Sequence, residues 1–178
     1  MPAGPEVGRR PGLDRRAGHR TKKAIQLLDR NDWRSKKRKK GFFLQVESAS
    51  IDKRDHSSEP CEQIGETVQL DQTVKVALDY AKREGDTLVI VNADHSHTSQ
   101  IVEVDASPPG FSSILTTDEG ENMMVTYGTT AGLTAPSVSQ EHTGATVPIA
   151  AYGPQAANVV GLIDQTEIFR IIARAIDD

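Results

Sequence analysis

Five histidines occur in the 178 residues of this chain, and four of them fall in three short polar stretches that also carry carboxylates. "ESASIDKRDH" holds Glu47, Asp52, Asp55 and His56; "ADHSH" holds Asp94, His95 and His97; "QEHTG" holds His142. Carboxylate oxygen and imidazole nitrogen together suit zinc, and sites built from Asp and His usually leave one coordination position open for chemistry. Thiolates are nearly absent, because Cys61 is the sole cysteine, so a closed structural zinc site is not expected. Asp52 and His56 are spaced i, i+4, which puts both side chains on one side of a helical turn. Taken singly, each position has an ordinary reading: an exposed charge pair for Asp52 and His56, a helix-capping acid for Asp94, a loop histidine for His142. Their joint occurrence is what argues for a metal centre.

Such residues need elements to hold them. "GFFLQV" and "TLVIV" are continuous apolar runs of strand length, the pattern of strands covered on both faces, and each is followed directly by one of the acidic, histidine-bearing stretches. Ligands in open α/β sheets bind beyond the carboxyl ends of strands, so both positions are chemically suggestive. Residues 67–84 place Leu70, Val74, Ala77, Leu78 and Ala81 on one stripe ahead of Gly85, which predicts an amphipathic helix. "QIVEV", "MMVTY" and "TVPIAAY" read as further strands and "SPPG" as a turn. "DQTEIFRIIARAI" reads as a closing helix with Asp164 as N-cap and Glu167 completing a capping box. Strands alternating with helices predict an α/β fold with a mostly parallel central sheet flanked by helices.

The net charge of -4 hides an asymmetry. Residues 1–40 carry 14 Lys+Arg against 4 Asp+Glu, which leaves 7 against 21 for residues 41–178. The division expected is therefore a basic, poorly ordered segment over 1–40, with a short helix about 21–30, and a folded portion over 41–178. The basic run "RSKKRKK" admits a second function class, binding of nucleic acid or another polyanion. Scarce aromatic residues and the acidity of the remainder argue against nucleic acid. No run of about 20 apolar residues predicts a membrane span, and "MPAGPEVGRR" lacks the apolar core of an export signal.

"KGFFLQVESASIDKRDH", "TLVIVNADHSH" and "SQEHTGATVPIAAYGPQAANVVGLIDQTEIF" resemble, in order and interval, the C-terminal third of bacterial alkaline phosphatases. The resemblance implies a partial alkaline-phosphatase fold whose N-terminal part is missing. It implies hydrolysis of phosphate monoesters with two zinc ions, one magnesium ion and a phosphoserine intermediate, in which two ions clamp the attacking and leaving oxygens. Residue by residue, Asp52, His56 and His142 would hold one zinc, Asp94 and His95 would contribute to the second, and Glu47 would be a magnesium ligand. Lys53 would lie near the phosphate, and His97 would act from behind the ligands. Ser48 stands where the family usually has Gly, and Cys61 matches a cysteine that many bacterial members pair in a disulfide.

The family's serine nucleophile, in an Asp-Ser-Ala setting, has no match here, so the chain is expected to be a fragment with very weak hydrolysis. Members are typically periplasmic or secreted homodimers, and no such export signal is read in this chain. A third reading is a non-catalytic zinc-binding fragment.

Overall fold

The computed structural model describes residues 41–129 and 139–177. The basic segment 1–40, its short helix and its polyanion reading lie outside the described residues. Among the described residues, five strands, three α-helices and a short 3-10 helix are formed: α1 (Ser50–His56), α2 (Pro60–Glu84), β1 (Val89–Asn92), β2 (Ser99–Val102), β3 (Phe111–Thr116), β4 (Asn122–Tyr127), β5 (Ile149–Tyr152), the 3-10 turn Ala156–Asn158 and α3 (Glu167–Asp177).

The chain divides into two compact units. Of the described residues, the first holds those within 48–69 and 95–146; the second holds those within 70–94 and 147–177 together with 41–47. In the first unit, β4 is the middle strand of a three-stranded antiparallel sheet, order β2-β4-β3. The β3–β4 hairpin closes on Gly120 at φ 89, a left-handed position that glycine adopts without strain. Leu115, Val125 and Tyr127 form its core, with Cys61 and Ile64 of α2 and Phe111 and Met123 packed against them. Tyr127 is fully buried, and its hydroxyl donates to Gln63 Oε1 at 2.9 Å. A buried phenol needs such a partner, because an unpaired hydroxyl there costs about 1–3 kcal/mol.

In the second unit β1 pairs antiparallel with β5, from Val89 opposite Tyr152 to Asn92 opposite Ile149. Gly153, at φ 100, follows β5 so closely to Thr87 that a Cβ there would sit 2.2 Å from its carbonyl oxygen. Tyr80, Ala81 and Ile171 are buried in this unit, while Phe43, Leu44, Val160, Leu162 and Phe169 stand exposed. No helix among the described residues is long and apolar enough to cross a membrane.

The α/β reading holds, and several details differ. All strand pairs among the described residues are antiparallel, not mostly parallel. Strands β1 to β5 follow one another with no helix between them among the described residues, so the expected alternation is not realised, and the short β3–β4 connection permits only an antiparallel pair. "GFFLQV" forms no strand. Its apolar residues predict a ladder, yet no strand among the described residues pairs with it, and Phe43 is 61% exposed. The strand β3 was not expected, since Ser112 and Ser113 interrupt its apolar pattern. Helix α2 begins seven residues before the predicted start, at Pro60, whose missing N–H costs nothing in the first turn. Of the predicted stripe only Ala81 is fully buried; Glu66, Gln69, Thr73 and Tyr80 are buried as well, mostly one position off it. Burial follows hydrogen-bonding capacity as well as hydropathy. At α3, Asp164 Oδ1 accepts from the Thr166 amide at 2.9 Å as an N-terminal cap should, but Glu167 pairs with Arg170 at 2.6 Å instead of reaching back.

Candidate metal centre

Every described histidine converges on one place in the first unit. Helix α1 presents Asp52 and His56 on one side, with His56 Nε2 3.4 Å from Asp52 Oδ1. The acid lies in the first turn and the imidazole in the last, an order that the helix dipole favours. The loop after β1 brings His95 and His97, whose Nε2 atoms lie 3.8 Å and 3.6 Å from the same Asp52 oxygen. His142 Nε2 lies 3.1 Å from Asp52 Oδ1 and 3.1 Å from His56 Nε2. His95 stacks on His142 with ring centroids 3.6 Å apart.

The loops are locked by hydrogen bonds that leave the Nε2 edges available. Thr143 N–H donates to the Ser96 carbonyl at 3.0 Å, and Thr143 Oγ1 donates to the His97 carbonyl at 3.0 Å, so the two histidine loops are zipped together. The Gln140 amide donates to the His56 carbonyl at 2.9 Å, and the Gln140 carbonyl in turn faces His56 Nδ1. Gln140 is itself held, its Oε1 accepting from Thr129 Oγ1 at 3.1 Å. Thr98 is buried behind the loop and its Oγ1 accepts the amides of Gly128 and Thr129, both at 3.0 Å.

One regularity decides what this cluster can do. In three rings Nδ1 faces an oxygen acceptor: the Gln140 carbonyl for His56, the Ser96 carbonyl at 3.1 Å for His95, and Asp55 Oδ1 at 2.8 Å for His97, whose Nδ1 the Thr98 amide also approaches at 3.0 Å. An Nδ1–H donated outward leaves the Nε2 lone pair facing inward, which is the tautomer of a metal donor. Two bare Nε2 atoms 3.1 Å apart repel unless a proton or cation lies between them. Asp52, His56, His97 and His142 offer donor atoms all within 4.8 Å of one another. A tetrahedral zinc with bonds of about 2.0–2.1 Å sets neighbouring donors roughly 3.3 Å apart. The 3.1–3.6 Å spacings around Asp52 Oδ1 fit that requirement. His97 Nε2 is buried with no hydrogen-bond partner, as expected of a nitrogen whose neighbour is an ion or an ion's ligand. Burial, opposed by Asp55, holds the His97 imidazole below its ordinary pKa.

The alkaline phosphatase family model matches residues 10–139 and 131–177. The chain belongs to the alkaline phosphatase family. It is 54% identical over 156 residues to the alkaline phosphatase of Escherichia coli strain K12, covering 88% of this chain and 31% of that protein. It is 47% identical over 156 residues to the streptomycin-6-phosphate phosphatase of Streptomyces griseus, covering 88% of this chain and 34% of that one. The alkaline phosphatase from the Antarctic bacterium TAB5 superposes with a TM-score of 0.63 at 24% identity, over 93% of this chain and 42% of that one. This member of the family thus spans about a third of the length of the curated relatives it matches.

Of the positions expected from sequence, Asp52, His56, His95 and His142 come together, and His97 joins them. The four-residue donor group is Asp52, His56, His97 and His142; His95 stands beside it at 3.8 Å from Asp52 Oδ1, and Glu47, Asp94 and Lys53, expected at other ions or at the phosphate, are not among its members. Glu47 and Asp94 are exposed and belong to the second unit, where the Asp94 carbonyl accepts from Gln165 Nε2 at 2.9 Å. Lys53 is exposed on α1. Cys61 lies half-buried against the Leu115–Tyr127 core, and its thiol is pushed up by burial. Sequence reasoning missed Gln140 and Thr98, which shape the loops, and left Asp55 without a role. Only Asp55 carried a signal, lying in the same "DKRDH" run as two donors.

Proposed function

We propose that this chain is the metal-binding portion of a phosphomonoesterase, and that Asp52, His56 and His142 bind zinc. The observation that carries the reading is the inward-facing set of Nε2 atoms around a single Asp52 oxygen. Three protein donors leave a coordination position for substrate, which distinguishes a catalytic zinc from a structural one. Zinc held there supplies Lewis acidity toward an oxygen of a phosphate ester. The chain's own residues bind and orient: Asp52 supplies the negative charge, Gln140 fixes the His56 ring, and the Thr143 bonds fix the loop carrying His95 and His97.

In the finer reading, His95 and Asp94 contribute to a second zinc, Glu47 to a magnesium ion, Lys53 approaches the phosphate, and His97 supports the donors from behind. The substrate class is phosphate monoesters, and the whole enzyme is a periplasmic or secreted homodimer working through a phosphoserine. The family resemblance supports these assignments. Because no Asp-Ser-Ala stretch occurs in this chain, it binds zinc and hydrolyses phosphate monoesters only weakly.

The test is zinc titration of the purified chain, followed by p-nitrophenyl phosphate hydrolysis at alkaline pH. Saturable zinc binding that disappears in Asp52→Ala, with slow linear release of phenolate, is the expected result. A zinc-dependent burst of phenolate would overturn the nucleophile-free reading, and absence of saturable zinc binding would overturn the site.

A further inference from the structure

We propose that Asp55 is the positioning residue of the centre: it anchors the His97 ring through Nδ1 and so fixes where His97 Nε2 meets Asp52. The inference rests on the metal reading of the cluster. Asp55 is 2% exposed, the most buried carboxylate among the described residues. An ionised carboxylate taken out of water is costly unless its lone pairs are met, so the partners of its two oxygens state its purpose.

Those partners divide cleanly. Oδ2 accepts from Ser99 Oγ at 2.6 Å and from Gln63 Nε2. Gln63 also donates to Ser99 Oγ at 3.0 Å and accepts from Tyr127 through Oε1 at 2.9 Å. That side ties α1 to α2, β2 and β4, and it would suffice for a purely structural acid. Oδ1 makes no part of this network. It lies 2.8 Å from His97 Nδ1. The Thr98 amide also approaches Nδ1, at 3.0 Å, and the two claims on one nitrogen conflict. If Nδ1 accepts from Thr98, Oδ1 is left buried with no hydrogen-bond partner; if Nδ1–H points to Asp55 across the 2.8 Å contact, the bond is charge-assisted and Oδ1 is satisfied, and we take the second arrangement.

With Nδ1–H given to Asp55, the ring cannot swing, and its opposite nitrogen stays aimed at Asp52 Oδ1 from 3.6 Å. A carboxylate–imidazole pair behind a metal donor fixes both tautomer and direction, and losing such a partner typically costs about 10–100-fold in metal affinity. His97 is the more buried partner of the pair, its side chain 9% exposed against 38% for Asp52. The Asp55–His97 pair is therefore the rear wall against which the donor carboxylate is set.

The experiment compares the full chain with Asp55→Ala, Asp55→Asn and Ser99→Ala. Zinc affinity is read by competition with a chromophoric chelator, and the His97 ring protons are read by nitrogen-15 NMR of the metal-free chain. The wild-type chain should show a slowly exchanging Nδ1–H on His97. Asp55→Ala should lose that signal and about 10–100-fold in zinc affinity. Asp55→Asn, which keeps a neutral acceptor, should restore part of both. Ser99→Ala, which weakens the fold through Oδ2 alone, should leave both in place. Should Asp55→Ala fail to fold, the comparison of Asp55→Asn with Ser99→Ala decides, since equal zinc affinity in the two would overturn the proposal. Wild-type zinc affinity in folded Asp55→Ala, or a bare Nδ1 on His97 in the native chain, would also overturn it. A wild-type chain that takes no zinc sinks the metal reading instead, and the metal-free NMR signal still tells whether Asp55 holds His97.

Discussion

The two units differ in how much polar and apolar surface each buries. The first buries many polar side chains, Asp55, Thr98, Thr126 and Gln140 among them, beside the apolar Leu115, Met124, Val125 and Tyr127. The second buries Tyr80, Ala81 and Ile171 but leaves Leu162 85% and Phe169 74% exposed. A unit whose interior is a hydrogen-bond network positions side chains within fractions of an ångström, because each bond has a direction. A unit with large apolar groups in water has surface left over for burial. The proposed metal centre lies in the first unit and most of the exposed large apolar side chains lie in the second, and substitutions that act on one unit alone can break that contrast.

The largest effect is expected at the donor atoms. His142→Ala or Asp52→Ala should reduce zinc affinity by at least ~100-fold, more than any loss from the supporting residues. Equilibrium dialysis with zinc measures this, and retention of wild-type affinity in both variants would remove the first unit's claim to chemistry.

The next effect compares one substitution placed in each unit. Gly110 sits at φ 97 with a would-be Cβ 2.1 Å from the Tyr127 carbonyl oxygen, and Gly153 sits at φ 100 with one 2.2 Å from that of Thr87. Both alanine variants combine a left-handed backbone with a clash against main chain, and each should lose about 2–4 kcal/mol. Their consequences should differ. Gly110→Ala strains the strand register behind the histidine loops and should weaken zinc binding, while Gly153→Ala strains the β1–β5 ladder and should leave zinc affinity intact. Urea unfolding with zinc titration on each variant reads both quantities.

How much of this was legible in the sequence follows the same contrast. Histidines and acids packed into three short stretches announce themselves, because function concentrates residue types that are otherwise sparse. The i, i+4 pair of Asp52 and His56 needed only helical geometry, and α1 supplies it. Supports were harder to see, since Gln140 reaches His56 across 84 positions and Tyr127 reaches Gln63 across 64. No local pattern encodes such separations. Elements were read well where the pattern was unbroken, as for β1 and α3, and poorly where apolar character did not decide. "GFFLQV" has the residues of a buried strand without a partner strand among those described, and β3 has the partner without the apolar run. Strand direction was invisible for the same reason: pairing is decided between segments, not within one.

A smaller effect should appear at high pH. Burial first, and then the neighbouring Asp55, push the Tyr127 phenol well above its ordinary value. The folded chain therefore holds a proton that the unfolded chain releases near pH ~10. Stability from this group is complete below pH ~10 and is lost as pH rises above it, by up to about 1.4 kcal/mol per unit. Tyr127→Phe should be less stable at neutral pH, through the lost bond to Gln63, yet show a flatter decline between pH 9.5 and about 11. Urea midpoints across that range measure the slope, and parallel slopes for the two proteins would show that another group governs alkaline unfolding.

The smallest effect on stability, and the sharpest on the comparison, is expected at the exposed apolar positions of the second unit. Leu162→Ser and Phe169→Ser remove side chains that water already reaches, so unfolding free energy should change by no more than about 0.5 kcal/mol. Their effect should fall on association: apolar surface left in water favours contact between molecules, and the serine variants should stay monodisperse by light scattering at higher concentration than the parent. A loss above about 1 kcal/mol would mean that these side chains are covered in solution after all, by a second copy or by another part of a longer enzyme. In that case the two units would differ less in how they are built than in how much of each interior this chain itself provides.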